Sequence, residues 1–163
     1  MLAQREGANL AGLGAFIIAS GGAALVGGRV SGMWSDRSSK TTMSMAAAVA
    51  SVVIVGLVAS AQFAPAAVNA WVMPLGFFLV NLAHMTVRVA RKTYLVDMTE
   101  GDQRTLITGV SNTVMGIVLL IVGAISSAIA VFGPQAALLF LAAMGFAGVF
   151  GAARLKDVSD PGV

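Results

Sequence analysis

The chain has 163 residues, of which 58% are hydrophobic and only 10% carry a charge. Soluble domains are about 45–50% apolar and about 25% charged, so this chain has too few charges to cover the surface of a soluble globular enzyme. Disorder requires low hydrophobicity and high net charge, and the composition excludes it as well. The sequence contains no cysteine, which excludes disulfides, thiolate metal sites and a cysteine nucleophile.

Three long stretches of the sequence carry no charged residue, at 7–28, 41–87 and 105–153. A membrane-spanning helix needs about 20 mainly apolar residues, so the first stretch holds one span and each of the others holds two. Proline interrupts both longer stretches near their middle, at Pro65 and Pro134. The sequence therefore predicts an all-α membrane protein with a single membrane domain over residues 1–163. Its five transmembrane helices are predicted at about 7–30, 41–62, 70–90, 104–131 and 134–153.

The positive charges lie on one side of this predicted bundle. The connections 29–40 and 88–104 and the tail 154–163 hold nine of the ten basic residues, whereas 63–69 and 132–135 carry no charge. Short loops rich in Lys and Arg stay in the cytoplasm, so we expect a multi-pass protein of the cell membrane with its N-terminus outside and a cytoplasmic C-terminal tail. The pI of about 10.0 then reflects topology. The lipid bilayer is the expected partner, and no nucleic acid is expected to bind.

Several residues predict how the helices are placed in the membrane. Trp71 near an outer helix end, and Trp34 and Tyr94 near inner ends, are typical of an interfacial aromatic belt. Helices in lipid associate by close van der Waals contact, so small residues at every fourth position predict a packing face on the first span. These small residues are Ala11, Ala15, Ala19, Ala23 and Gly27. The second and fifth spans carry no ionisable group and are expected to face lipid.

Polar side chains are concentrated in the third and fourth spans. Asn81 and His84 share a face of the third span, and Asn112 lies in the inner half of the fourth. Asn81 is seven residues from Arg88 and Asn112 is eight from Arg104, so at about 1.5 Å per residue we expect the two asparagines at a matching depth of roughly 10–12 Å. Polar groups inside spans usually face a bundle interior or a watery cavity and mark substrate or proton paths. Asn81, His84 and Asn112 are therefore candidate substrate-lining residues, with His84 as a candidate proton-responsive group. The alternative is that they only make hydrogen bonds between helices.

The first inner loop carries the most informative motif of the sequence. Residues 32–40 contain the pattern Gly-x-x-x-Asp-Arg-x-x-Lys, formed by Gly32, Asp36, Arg37 and Lys40. This pattern resembles the signature loop of the major facilitator superfamily, which joins its second and third helices and, in weaker form, its eighth and ninth. A charged inner loop and a short outer turn follow in the order that the family has after its ninth helix. The chain thus resembles the C-terminal portion of such a permease, helices eight to twelve.

The resemblance implies transport of a small molecule by a secondary carrier. It implies that Gly32, Asp36, Arg37 and Lys40 act in the inner gate, with Asp36 against the positive N-terminus of a neighbouring helix. The family usually has about twelve helices in two halves that rock about a central site. The chain is therefore expected to be a fragment, and the missing N-terminal half is its expected partner.

Two other functions compete with transport. The first is a non-transporting membrane scaffold or assembly protein that shares the fold. The second is a membrane enzyme, which is poorly supported because the chain has one histidine, no cysteine and no pair of carboxylates placed for acid–base work within a span. No catalytic residue, metal site or cofactor is expected.

Overall fold

A computed structural model describes residues 2–99, 101 and 103–158 of the chain, and the side chains of residues 2–12 and 15 lie outside that description. The described residues contain no strand and form five α-helices. These are α1 (Leu2–Ser35), α2 (Ser39–Phe63), α3 (Ala66–Asp97), α4 (Gln103–Ile129) and α5 (Pro134–Ala153). All five are long and apolar enough to cross a membrane. The predicted all-helical class and the five membrane-length helices are confirmed.

The helix breaks follow the residues that predicted them. Ser38 caps α2 with an extended backbone, and its hydroxyl accepts a hydrogen bond from the Thr41 amide at 3.3 Å. Gly133 has a φ of +119°, a conformation that residues with a Cβ avoid, and Pro134 then opens α5. The connection between α4 and α5 is therefore built by the glycine and proline that the sequence places there.

The third helix is longer than predicted at both ends. It runs through Asp97 because neither glycine nor proline follows until Gly101, which has a φ of +59°. Its 32 residues span about 48 Å, whereas the hydrocarbon core of a bilayer is about 30 Å thick. The sequence predicts Arg88 and Arg91 at or beyond the end of the third span. Both residues instead lie within α3.

The order of the packed helices across the bundle is α1, α3, α2, α5. The helices α1 and α3 run parallel, since Gly22 lies beside Phe78 and Gly27 lies beside Met85. The helix α2 runs antiparallel between α3 and α5. Glycines allow α2 to approach both α3 and α5 closely. A methyl group added at Gly76 of α3 would overlap the Leu57 side chain. One added at Gly145 of α5 would overlap the Ser51 hydroxyl.

The described part of the small-residue stripe on α1 packs against α3. Ala23 and Gly27 are buried, and a Cβ at Gly27 would lie 3.1 Å from Leu82 Cδ1. The side chains of Ala11 and Ala15 lie outside the described residues. One buried hydrogen bond reinforces the contact. Thr86 donates to the Leu82 carbonyl at 2.8 Å, so its oxygen accepts from the Ser31 hydroxyl at 2.7 Å.

The helix α2 packs on two sides and is open on another. It lies between α3 and α5 and contributes six buried residues, including Ala46, Ser51 and Val58, whereas Val52 and Val55 are exposed. Its expected contact with lipid stays a prediction for that open side. Alanine and serine allow close approach of backbones, and this decides the position of α2.

The tail after α5 folds back across the basic end of the bundle. Leu155 and Val158 pack against a small cluster of Met43, Ala90 and Tyr94. The Tyr94 side chain is consequently only 9% exposed, and its predicted place in an interfacial aromatic belt is wrong. The exposed positions of Trp34 and Trp71 agree with the belt.

Candidate functional site

The three candidate substrate-lining residues have different surroundings. Asn81 donates through Nδ2 to the Phe77 carbonyl of its own helix at 2.9 Å. His84 is exposed on α3. Asn112 of α4 accepts a hydrogen bond through Oδ1 from Nη2 of Arg91 at 3.2 Å. None of the described hydrogen bonds joins these three residues to one another.

The expected match in depth between the two asparagines is not what the structure shows. Asn112 pairs with Arg91, which lies ten residues beyond Asn81 along α3. At about 1.5 Å per residue this separation is roughly 15 Å along the helix. The prediction of equal depth took Arg88 as the membrane surface, because the third span was expected to end near residue 90. The helix α3 in fact extends to Asp97.

Arg91 is a polar residue that the sequence analysis did not select. It is partly buried at the gap between α3 and α4, and its Nη1 is buried without a hydrogen-bond partner among the described residues. One sequence feature does indicate the position of Arg91: no glycine or proline lies between Arg88 and Gly101. The helix can therefore continue through Arg91, which faces a neighbouring helix and is not part of a loop.

The Arg91–Asn112 pair has a definite binding chemistry. A guanidinium presents a planar fork of donors that matches the two oxygens of a carboxylate or phosphate. The carboxamide of Asn112 accepts a hydrogen bond from Nη2, whereas Nη1 is enclosed by protein atoms and has no acceptor among the described residues. The guanidinium therefore has one donor nitrogen without a partner beside α4.

The signature-loop residues surround the connection between α1 and α2. Asp36 and Arg37 are exposed, and within the described part of the chain neither side chain has a hydrogen-bond or ion-pair partner. Lys40 is half-buried in the first turn of α2. A Cβ at Gly32 would meet nothing within 4 Å, so helix packing does not require glycine there.

A carboxylate does lie at the N-terminus of α2, but it belongs to the tail. Asp157 Oδ2 accepts a hydrogen bond from the Ser38 hydroxyl at 3.0 Å, at the residue that caps the helix. A negative charge at this position is favourable because the helix dipole is positive there. The carboxylate at the start of α2 is thus Asp157, and the role that the family resemblance implies for Asp36 stays a prediction.

No family model matches the chain, and neither a curated protein nor a solved structure shows significant similarity to it. The resemblance to the major facilitator superfamily thus depends on the loop motif and the order of the helices. Within residues 2–99, 101 and 103–158, no three His, Asp or Glu side chains are grouped as a metal site would need.

Proposed function

We propose that the chain forms part of a secondary transporter of the major facilitator type, which moves a small molecule across the cell membrane. The observation that carries the proposal is the Arg91–Asn112 pair between two membrane-length helices. Asn112 lies inside the span of α4, and polar groups within spans usually face a bundle interior or a water-filled path because lipid penalises them. An arginine with one unsatisfied nitrogen favours an anionic substrate.

The exposure of α4 supports a second helical half across the substrate path. Among the described residues of α4, none is buried, although the other four helices all contribute buried residues. Carriers of this kind bind substrate between two halves that rock against each other. We propose that α4 faces such a half, supplied by further polypeptide, and that neither a cofactor nor a covalent step is involved.

Cysteine labelling tests the watery path directly, because the chain has no native cysteine. Asn112→Cys should react with a charged, water-soluble thiol reagent added from the basic side. A small carboxylate that is a substrate should slow this reaction. Leu120→Cys is the matched control on the same helix, since Leu120 is exposed but lies in an uninterrupted apolar stretch. Unreactive cysteines at both positions would make Asn112 a packing residue and count against the proposal.

The proposed orientation places the two basic connections and the tail in the cytoplasm. Reporter fusions at Ser38, Gly101 and Gly162 should then report inside, and a fusion at Ala67 should report outside. The opposite result at any two of these positions would overturn the orientation.

The exposed face of α4 also favours a second function, that of a non-transporting scaffold. A contiguous apolar surface on one helix suits assembly with another membrane protein as well as it suits a second carrier half. Uptake or efflux measured with the intact gene product separates the two. A scaffold would show no solute movement and would leave a cysteine at position 112 unprotected by every solute tested.

A further inference from the structure

Two cavities adjoin at the basic end of the bundle, where α1, α2 and α3 meet. The apolar cavity has a volume of about 250 Å³, and its walls include Ala46, Val49 and Leu82. The polar cavity, also of about 250 Å³, lies beside the connection between α1 and α2, and Arg37 and Thr41 line it.

The two cavities share part of their walls. Trp34, Thr42 and Met45 line both of them. Val49 lies eleven residues beyond Ser38, so the joint space extends about 16 Å along α2 at 1.5 Å per residue. The two cavities are therefore adjacent, with a polar mouth at the loop and an apolar interior between helices on the two sides of these shared residues.

Arg37 is the charged residue that lines the polar mouth, and it has no acidic partner within the described residues. Ser38 also lines the mouth and donates to Asp157, whose carboxylate is not part of the lining of either cavity. The connections and tail on this side of the bundle carry nine basic and six acidic residues. A ligand with a negative head and an apolar chain would match both parts of the space.

We propose that this space is a binding site for one anionic phospholipid. The phosphate lies at Arg37 and Thr41, and one acyl chain occupies the cavity beside Ala46 and Leu82. A guanidinium and a hydroxyl suit a phosphate diester, and basic pockets between transmembrane helices are typical sites for lipid head groups. Free phosphate would use only the polar mouth and leave the apolar cavity empty. This site is separate from the Arg91–Asn112 pair and does not depend on the proposed transport function.

The two tryptophans of the chain provide a probe and its control. Trp34 is part of the wall that the cavities share, whereas Trp71 lies near the other end of the bundle and is 82% exposed. Trp71→Phe leaves Trp34 as the reporter, and Trp34→Phe leaves Trp71. Each variant is reconstituted in phosphatidylcholine vesicles that contain a small, fixed fraction of lipid with brominated acyl chains, which quench tryptophan fluorescence on contact. The brominated lipid is either phosphatidylglycerol or phosphatidylcholine.

We expect brominated phosphatidylglycerol to quench Trp34 more strongly than brominated phosphatidylcholine, and both to quench Trp71 equally. Arg37→Gln should weaken the preference for phosphatidylglycerol about tenfold, since a hydrogen bond to a charged group is lost. Arg37→Lys should keep part of it. Arg154→Gln, at an exposed basic residue that lines neither cavity, should leave it unchanged.

Two results would overturn the proposal. The first is equal quenching of Trp34 by the two lipids, which is the result expected if the mouth binds only free phosphate. The second is a preference for phosphatidylglycerol that survives Arg37→Gln. Ala46→Leu tests the apolar part, since filling the cavity should lower the quenching of Trp34. Undiminished quenching in that variant, with unchanged helical content, would place the acyl chain elsewhere.

Discussion

The helices α2 and α4 are both apolar and long enough to cross a membrane, yet α2 contributes six buried residues and the described part of α4 contributes none. Their contact surfaces explain the difference. Small side chains on α2, such as Ala46 and Ser51, meet close neighbours, and Gly76 and Gly145 face α2 from the adjoining helices. The middle of α4 carries Ile, Val and Leu from 117 to 122. Helix association in lipid depends on close approach, so residue size decides position where hydrophobicity cannot.

The largest change in the free energy of unfolding is expected for substitutions at the glycines that contact α2. Gly76→Val should lower the free energy of unfolding in detergent micelles by about 1–3 kcal/mol, because the new side chain overlaps Leu57. Gly116→Val is the matched control on α4, where a Cβ meets nothing within 4 Å. Similar losses for the two variants would show that α4 is as tightly packed as α2.

A smaller effect is expected from the hydrogen bond between α1 and α3. Thr86 and Thr113 each donate to the carbonyl four residues earlier, but of these two only Thr86 also accepts from another helix among the described bonds. Thr86→Val should cost about 0.6 kcal/mol and at most about 1.7 kcal/mol, the range for such bonds in membranes. Thr113→Val should be neutral in the same unfolding measurement. Equal costs would mean that the bond to Ser31 contributes nothing.

The tail carboxylate is expected to contribute less than the buried bond. Asp157→Asn should lower stability by about 0.3–1 kcal/mol, because a charge at the N-terminus of α2 is lost. Raising the salt concentration should shrink the difference by screening it. Asp97→Asn serves as the control, because Asp97 is exposed and lies at the C-terminus of α3. A loss that does not change with salt would point to packing of the tail as its cause.

The smallest effect on stability is expected on α4 itself. Asn112→Ala removes the bond to Arg91 at an exposed position and should change the free energy of unfolding by less than about 0.5 kcal/mol. A cost above 1 kcal/mol would show that this pair holds α4 in place, and would weaken its assignment as a binding group.

The sequence predicted the number and class of the helices because both depend on local patterns. The breaks at Pro65 and Pro134 are visible as residue types, and the described part of the α1 stripe does pack against α3. The ends of α3 were missed because a charged residue was taken as the end of a span. The helix continues past Arg88 and ends at Asp97, with Met98 as its C-cap.

The neighbours of each helix were harder to predict, since they depend on contacts far apart in the sequence. Polarity suggested that α2 faces lipid and that Asn81 and Asn112 lie at equal depth. The contacts of Gly76 and Gly145 give α2 two packed sides, and Arg91 takes the place expected of Asn81. Neither glycine differs in its local pattern from the many other glycines of the chain, so no sequence signal selects it. The position of Asp157 beside Ser38 likewise has no local signal.

The contacts that the tail makes with the bundle can form only at the end of synthesis. The hydrogen bond between Ser38 and Asp157 joins residues 119 positions apart. Ribosomes add about 5–20 residues per second, so the second partner is made roughly 6–24 s after the first. Throughout that interval α2 lacks its carboxylate and Met43 lacks the apolar cover that Leu155 later provides. A ribosome that stalls after α5 therefore holds a nascent chain whose helices are all present but whose basic end is still open.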